Sequence, residues 1–325
     1  MVQIRRADVR DEPVIVRLWG DHAAYQRSLE RVWPRRWAAA EPCERTYTQL
    51  LAPVWDDPQQ AVFIAEDGSQ SVGFVQVALV EPDPSPARIE TIVVAAAQRG
   101  TGVERALMET ALGWSVEGKA DEVVLDVLAA DTAAVRFYEQ QGFNRVLSAY
   151  YRPADTAGAE LRPAPGTVRR AGAADEATVL RMWNAVRRFH RELEPHWPRQ
   201  WANPPPDILS WLAQALQAYW QDTERKVIFV YDTGHELVGF IRVALMDSWL
   251  CPGQVESLYV RDDHRSQGVG QVLMAQALAW CAAHEAAEVG LHVSASNASA
   301  ARFYARLGFR PVIHTYVRPL PATTD

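Results

Sequence analysis

Apolar positions in the second half of the chain recur with a helical period in four segments. The first follows Asp175 and has one apolar face, formed by Val179, Met182, Trp183, Val186 and Phe189. Residues 207–220 predict a second helix, which Asp207 can cap and a run of prolines precedes. A third helix is predicted from Gly268, and a fourth begins after Asn297, a good N-cap residue.

Short apolar or alternating runs predict strands around these helices. Residues 167–171 form a short strand, and residues 226–232 and 236–246 form a hairpin whose turn contains Thr233 and Gly234. Further strands are predicted at 255–260, 288–294 and 309–317. A hairpin followed by strand–helix–strand–helix–strand is typical of an α/β domain with a mixed sheet.

The same pattern occurs earlier in the chain, so the protein contains an internal repeat. The segment AVFIAEDGSQSVGFVQVAL (61–79) aligns with VIFVYDTGHELVGFIRVAL (227–245), and DTAAVRFYEQQGF (131–143) aligns with NASAARFYARLGF (297–309). Since the order of these landmarks is unchanged over a long stretch, we interpret the repeat as a duplicated domain. We predict domains at 1–153 and 167–325, joined by a Pro-, Ala- and Gly-rich linker at 154–166.

Length and composition agree with two globular domains and exclude several classes of function. The chain has 325 residues, 48% of them hydrophobic, and a net charge of −7. No basic stripe is present, which argues against a nucleic-acid partner, and no stretch approaches the roughly 20 apolar residues of a membrane helix. The three cysteines have no metal-like spacing, so we expect reduced thiols, no metal and a cytoplasmic protein without a signal peptide.

The turn RSQGVG (265–270) is the first candidate for chemistry, because it connects a predicted strand to a predicted helix. A helix N-terminus presents unpaired N–H groups that attract phosphate, and glycine lets the backbone approach the anion closely. No Gly-Lys-Ser/Thr follows, so the turn is not a nucleotide P-loop. Taken alone, it is also compatible with ordinary turn chemistry.

The strand, the Arg-x-x-Gly-x-Gly turn and the helix together resemble the acyl-CoA-binding motif of the GNAT superfamily of N-acetyltransferases. Residues 297–309 resemble that family's second signature, Asn-x-x-Ala-x-x-Phe-Tyr-x-x-x-Gly-Phe. The resemblance covers both halves, so the chain is identified as a tandem, two-domain member. It implies an α/β (α+β) fold with two GNAT-like acyltransferase domains, each a mixed, mostly antiparallel sheet flanked by helices.

The resemblance also implies acetyl-CoA as co-substrate and assigns residues to it. The strand backbone would run along the pantetheine arm through Leu258, Tyr259 and Val260. The N–H groups of the turn would hold the pyrophosphate, from Arg265, Ser266, Gln267, Gly268, Val269 and Gly270. Asn297 would contact the cofactor and is, in any case, a helix cap.

Two residues are implied as catalysts of a direct attack by an amine on the thioester. Tyr304 would protonate the departing thiolate, and Glu256 would remove the amine proton through water. Two-residue alternation places Glu256 on the same face as Leu258 and Val260. The structural alternatives are that Tyr304 packs the last helix and that Glu256 is a solvated strand residue.

The first half carries a modified copy of this site. Glu104 replaces the last glycine of the turn and Asp131 replaces the asparagine, although Glu90 and Tyr138 match the two catalysts. Residues 1–160 hold 16 Lys and Arg against 24 Asp and Glu, whereas residues 161–325 hold 17 against 16. Because CoA is a polyanion, we predict that the second half is catalytic and the first is degenerate.

The acceptor is expected at the loop over residues 190–206, since the first two helices of the family border the acceptor entrance. Its candidate residues pair acidic or imidazole groups with indoles: His190, Glu194, His196, Trp197 and Trp201. Such a set suits a cationic or aromatic amine, either a small molecule or a peptide. The similar WPRRW in the first half favours a purely structural loop as the alternative.

Two questions stay open at the level of sequence. The intact Glu256 and Tyr304 favour an enzyme, and the alternative is a non-catalytic sensor or scaffold that binds acyl-CoA or a metabolite. The oligomeric state is also open, since tandem domains can act as an internal pseudo-dimer.

Overall fold

The computed structural model describes residues 2–31, 43–80, 86–154, 166–198, 205–246 and 253–321, with the backbone alone at 43–46. Most of the predicted linker therefore lies outside the described residues. The described residues form two compact units. The first unit comprises 2–31, 43–80, 86–145 and 313–321, and the second comprises the described part of 146–312.

The helices and strands follow one another in the same order in both repeats. The first repeat contains β1 (Gln3–Arg6), α1 (Glu12–Leu29), α2 (Cys43–Leu51), β2 (Gln60–Asp67), β3 (Gln70–Leu79), β4 (Ala87–Val94), α3 (Val103–Glu117), β5 (Glu122–Leu128), α4 (Thr132–Gln140) and β6 (Asn144–Pro153). The second contains β7 (Thr167–Arg170), α5 (Glu176–Leu193), α6 (Ile208–Gln221), β8 (Lys226–Asp232), β9 (Leu237–Leu245), β10 (Gly253–Val260), α7 (Val269–Ala283), β11 (Glu288–Ser294), α8 (Ala298–Arg306) and β12 (Arg310–Pro319).

Each unit contains one mixed sheet. The strand order is β1-β2-β3-β4-β5-β12 in the first unit and β6-β11-β10-β9-β8-β7 in the second. Within each unit the neighbours are antiparallel except β4–β5 and β10–β11. The predicted fold class, a mixed and mostly antiparallel sheet flanked by helices, is therefore confirmed.

The last strand of each repeat belongs to the sheet of the other unit. In the first unit β12 pairs with β5, from Ile313↔Leu128 to Pro319↔Glu122. In the second unit β6 pairs with β11. Tyr316 of β12 is 1% exposed in the core of the first unit, and Tyr150 of β6 packs against the core of the second. The compact units therefore do not coincide with the sequence repeats, because the last strand of each repeat makes its contacts in the other unit.

The helices of the second unit cover both faces of its sheet. On one face α7 packs through Leu273, Met274 and Ala277, all fully buried. On the other face α5 and α6 pack through Val179, Trp183, Leu212 and Leu216. Of the face predicted for α5, Val179, Met182 and Trp183 are buried and Val186 is partly buried, whereas Phe189 is 40% exposed, so the prediction is wrong for Phe189. Local signals set the ends of the helices as well, since the Asp207 carboxylate caps α6 by accepting the Ser210 N–H at 3.1 Å.

None of the described helices is both long enough and apolar enough to cross a membrane.

Candidate active site

The central strands of the second unit separate at one end of the sheet. The parallel pairing of β10 with β11 ends at Val255↔Leu291, although β10 continues to Val260. The residues expected along the pantetheine arm, Leu258, Tyr259 and Val260, lie in this separated part of β10. Their other edge is occupied by β9, so one edge of the strand faces the gap.

The glycine turn follows β10 at the same end and leads into α7. Its backbone is left-handed at Ser266 (φ 64°) and at Gly268 (φ 87°), which is the N-cap of α7. The Arg265 N–H donates to the carbonyl of Asp262 at 3.2 Å, so it is not available to a ligand. The N–H groups from Ser266 to Gly270 donate to no other group in the described chain.

These free N–H groups fit a phosphate. Gly268 adopts a left-handed backbone (φ 87°), which glycine takes without strain. At Gly270 a Cβ would approach Phe303 Cζ to 3.3 Å, which shows that this glycine also serves the close packing of α7 on α8. Consecutive N–H groups at the positive end of a helix are the donor set that a pyrophosphate requires.

The equivalent turn of the first unit is already hydrogen-bonded. The Gly100 N–H donates to Glu104 Oε1 at 3.0 Å, and the Thr101 N–H donates to the carbonyl of Gln98 at 3.3 Å. Glu104 thus places a carboxylate on a donor that corresponds to the Ser266 N–H. The first turn does not fit a pyrophosphate in this arrangement, because two of its donors are used and a negative charge lies among them.

Glu256 is the extra residue of a β-bulge in β10. Val255 pairs with Val243 and Ser257 pairs with Arg242, so Glu256 has no register partner on β9. A bulge shifts the alternation of side chains by one residue. Leu258 and Val260 pack against the core under α7, whereas Glu256 faces α6 on the opposite side. The prediction that Glu256 shares their face is therefore wrong.

The Glu256 carboxylate is held through one oxygen. Its Oε2 accepts hydrogen bonds from the Tyr219 hydroxyl of α6 and from Nη2 of Arg242 on β9. No described residue donates to Oε1, and the side chain keeps 29% exposure. Burial raises the pKa of Tyr219, so its hydroxyl remains a donor at neutral pH. This arrangement leaves one carboxylate oxygen free to accept a proton.

Sequence reasoning did not identify Tyr219 or Arg242 as site residues. Arg242 is 7% exposed, and its guanidinium carbon lies 3.6 Å from the centre of the Trp183 ring. The available signal was a single cation within the otherwise apolar strand LVGFIRVAL, where the first repeat has Gln76. A buried arginine in such a strand needs a carboxylate partner, which the bulge supplies.

Tyr304 lies on α8 on the other face of the sheet. Its ring packs edge-on against Phe303 and Phe309, with centroids 5.1 and 5.8 Å away. Burial raises the pKa of its hydroxyl, which therefore carries its proton at neutral pH. Asn297 caps the same helix by accepting the Ala300 N–H at 3.0 Å, as predicted.

The residues expected to line the acceptor site differ in burial and in hydrogen bonding. Glu194 Oε1 accepts from Ser294 Oγ at 2.9 Å and from the Ser296 N–H at 3.3 Å, so this carboxylate binds the turn before α8. His190 is half-buried, which lowers its pKa, whereas His196 is exposed. Trp197 is half-buried. Trp201 and the WPRRW segment of the first repeat lie outside the described residues.

The first unit has the bulge but a different set of partners. Glu90 is again the unpaired residue, between Ile89↔Val77 and Thr91↔Gln76. Gln76 stands in the place of Arg242 and accepts a hydrogen bond from the Tyr47 hydroxyl at 3.0 Å. Glu90 instead lies 3.5 Å from Arg88, and burial raises its pKa. The two units thus share the glutamate and differ in what holds it.

A family model described as the Acetyltransferase (GNAT) family matches the chain twice, over residues 23–143 and 186–309. The chain belongs to the GNAT family. A mycothiol acetyltransferase from Tsukamurella paurometabola is 28% identical over 245 residues, which are 71% of this chain and 77% of that protein. The protein is an N-acetyltransferase with two GNAT domains in tandem, as the resemblance in the sequence predicted. Members of this family generally use acetyl-CoA.

Solved structures agree on the fold over the full length of the chain. A GCN5-related N-acetyltransferase from Sphaerobacter thermophilus has a TM-score of 0.60 at 18% identity, covering 100% of this chain and 97% of that one. A tandem GNAT protein from the clavulanic acid biosynthesis pathway has a TM-score of 0.51 at 17% identity, covering 100% of both chains. At these identities the likeness concerns the fold alone.

Proposed function

We propose that the second unit transfers the acetyl group of acetyl-CoA to the amine of a small molecule or peptide. The single observation that carries this proposal is the state of Glu256, whose Oε2 is held by two donors while no residue in the described part of the chain donates to Oε1. A carboxylate oriented in this way beside the gap in the sheet is suited to take a proton from an incoming amine.

The same unit has the donors for the cofactor. The free N–H groups of residues 266–270 would bind the pyrophosphate, and the open edge of Leu258–Val260 would pair with the pantetheine arm. Asn297 would lie beside this arm at the start of α8. The used donors and the Glu104 carboxylate argue that the first unit is degenerate in cofactor binding.

The reaction requires one base and one acid. Glu256 Oε1 accepts one proton from the ammonium, directly or through water, so that the nitrogen lone pair can attack the thioester carbonyl. The new C–N bond forms, the C–S bond breaks, and the Tyr304 hydroxyl gives its proton to the departing thiolate. The raised pKa of Tyr304 keeps that proton in place until the thiolate develops its charge. The second proton that the nitrogen loses on becoming an amide restores the Tyr304 hydroxyl through water, and Glu256 releases its proton to solvent.

The relative from Tsukamurella paurometabola supports acetyl transfer. The residues of this chain that bear on the acceptor lie in the loop after α5. Indole and carboxylate groups of the loop after α5 favour a cationic or aromatic amine. Of these, Glu194 is engaged by the turn before α8 and would act by holding that loop against the site.

The test is CoA release from acetyl-CoA in the presence of a panel of amines, followed with a thiol reagent. Glu256→Gln and Tyr304→Phe should each lower kcat by about 100-fold or more, as is usual for loss of a general base or acid. The matched controls are Glu90→Gln and Tyr138→Phe, the same changes in the first unit, which should leave the rate unchanged.

Three outcomes separate the alternatives. Loss of rate only in the second-unit variants supports the proposal. Loss only in the first-unit variants would reverse the assignment of the units. If acetyl-CoA binds but no amine in the panel causes CoA release, a binding function as sensor or scaffold replaces the enzyme proposal.

A further inference from the structure

The sheet of the first unit opens at the same place as that of the second. The parallel pairing of β4 with β5 ends at Ile89↔Leu125, although β4 continues to Val94. Its other edge is occupied by β3, so one edge of residues 92–94 faces the gap. These residues correspond to Leu258–Val260, where we place the pantetheine arm. An open strand edge offers unpaired N–H and C=O groups, so the strand arrangement by itself would let the first unit bind the arm as well.

Tyr25 of α1 contacts both borders of this gap. On the β4 side, Arg99 donates from Nε to the Val94 carbonyl at 3.3 Å, and its guanidinium carbon lies 4.3 Å from the centre of the Tyr25 ring. On the β5 side, the Asp131 carboxylate caps α4 by accepting the Ala134 N–H at 3.0 Å. The Tyr25 hydroxyl lies close enough to this carboxylate to hydrogen-bond it. The Tyr25 side chain therefore joins the end of β4 to the turn after β5.

The groups around Tyr25 form one polar cluster. The His22 ring, one turn earlier on α1, lies 6.4 Å from the Tyr25 ring. Burial, aided by Arg99, lowers the pKa of His22 to about 4, so this imidazole is neutral at pH 7. Burial, followed by the charge of Asp131, raises the pKa of Tyr25, so its hydroxyl keeps its proton and stays a donor. Asp131 is 8% exposed, and a carboxylate with so little contact with solvent depends on such donors.

The tyrosine is absent from the second unit. Phe189 stands in its place, is 40% exposed and has no hydroxyl. Arg265 keeps the contact of its counterpart, since its Nε donates to the last carbonyl of β10 at 3.1 Å, but its guanidinium carbon lies 6.0 Å from the Phe189 ring. Asn297 replaces the aspartate and caps α8 in the same way. The second unit thus keeps the borders of the gap and lacks the tyrosine–aspartate contact across it.

We propose that Tyr25, held between Arg99 and Asp131, closes the first unit to acyl-CoA where the pantetheine arm would bind. For the arm to pair with β4, the Tyr25 hydroxyl and the Asp131 carboxylate have to separate. This block is distinct from the Glu104 carboxylate, which occupies a donor of the turn where the pyrophosphate would bind. The first unit is therefore an acyl-CoA site closed at two points, and removal of either block alone leaves it closed. The inference rests on the proposed function, because it takes the cofactor path from there.

The experiment transfers residues of the second unit into the first and counts acetyl-CoA sites by calorimetry. Glu104→Gly removes the block at the turn, and Tyr25→Phe with Asp131→Asn removes the contact across the gap. We expect one acetyl-CoA per chain for wild type, for Glu104→Gly and for the Tyr25→Phe, Asp131→Asn pair. The variant with all three substitutions should bind two. Circular dichroism and thermal unfolding of each variant are recorded first, so that a misfolded variant is recognised.

The reverse transfer is the matched control, and it does not depend on the folding of the triple variant. Phe189→Tyr with Asn297→Asp places the same contact beside Arg265 in the second unit. This pair should weaken acetyl-CoA binding about tenfold more than Asn297→Asp alone, because a hydrogen bond to a charged group then has to be broken before the arm binds. If the pair weakens binding no more than Asn297→Asp does, the tyrosine contact does not close the gap and the inference is overturned.

The number of sites in the first-unit variants decides the inference in the same way. Two sites in wild type would show that the first unit is open. Two sites in Glu104→Gly, or in the Tyr25→Phe, Asp131→Asn pair, would show that a single block closes the unit, against the proposal. One site in the folded triple variant would show that other groups close it.

The binding counts separate this inference from the proposed function, which is tested by CoA release. If the triple variant binds two acetyl-CoA molecules while no amine causes CoA release, the inference stands and the proposed function fails. If the second-unit variants lose acetyl transfer as proposed but the triple variant binds one acetyl-CoA, the proposed function stands and the inference fails. If wild type binds no acetyl-CoA, both fail.

Discussion

The Glu104 carboxylate accepts a hydrogen bond from the Gly100 N–H at 3.0 Å, at the turn that precedes α3. The corresponding N–H of the second unit, that of Ser266, has no acceptor in the described chain. One unit therefore carries its own anion at the helix N-terminus, and the other leaves the donors free for a ligand. This single difference leads to the first prediction, on the number of acetyl-CoA sites.

Wild type should bind one acetyl-CoA per chain, and Gly270→Glu should weaken that binding at least tenfold. The introduced carboxylate adds a like charge near the pyrophosphate, at a cost of about 1 to 4 kcal/mol. Calorimetry gives both the stoichiometry and the affinity. Gly270→Ala is the control for crowding, since any Cβ there lies 3.3 Å from Phe303 Cζ. Two sites in wild type, or an unchanged site in Gly270→Glu, would contradict the assignment.

Tyr219→Phe should lower kcat about tenfold and leave the KM for acetyl-CoA nearly unchanged. The substitution removes one of the two donors that hold Glu256 Oε2, so the carboxylate loses orientation without loss of the base itself. Steady-state kinetics at saturating acceptor measure the effect. Tyr47→Phe removes the analogous hydroxyl of the first unit and serves as the control. Equal rates for Tyr219→Phe and wild type would show that this hydrogen bond does not position the base.

Tyr316→Ala should loosen the first unit, although residue 316 belongs to the second repeat. Its side chain is 1% exposed in the core of the first unit, and loss of a buried aromatic ring costs about 3 to 5 kcal/mol. Hydrogen exchange should therefore accelerate in β5, the strand that pairs with β12. Tyr150→Ala is the matched variant and should accelerate exchange in β11 instead. The reverse assignment of the two effects would refute the exchange of terminal strands.

Stability should fall as the pH drops from about 6.5 towards 4, in part through His314. Burial, aided by Arg145, lowers the pKa of this histidine from 6.5 to about 4. The unfolded chain then binds more protons than the folded chain in that pH range, so folding becomes less favourable as the pH decreases. His314 is 8% exposed, and its contribution can reach about 3 kcal/mol. Chemical unfolding at several pH values measures the slope, which His314→Gln should flatten. An unchanged slope would show that His314 is not a source of the pH dependence.

The helix caps could be predicted from the sequence, whereas the bulge in each sheet could not. The caps Asp207 and Asn297 are local features, and both could be predicted because a few adjacent residues fix the backbone there. The bulge at Glu256 depends on how β10 pairs with β9, and the local sequence pattern of β10 does not predict it. Alternation alone therefore placed Glu256 on the wrong face.

The sequence by itself determined the duplication, the elements and the GNAT family, because periodicity, glycines and caps act within a few residues of the chain. Tertiary structure alone decided which oxygen of Glu256 is free and that Arg242 and Tyr219 hold the other one. It also decided that β12 joins the sheet of the first unit and β6 that of the second. These outcomes depend on contacts between residues that are distant in sequence, such as the hydrogen bond of Tyr316 with Glu139. In a duplicated domain, the two copies of a strand have similar local sequence patterns, so the pattern does not determine which sheet a strand joins. Packing in the core of each unit determines which of the two strands joins its sheet, since burial is a property of the assembled units and not of any one segment.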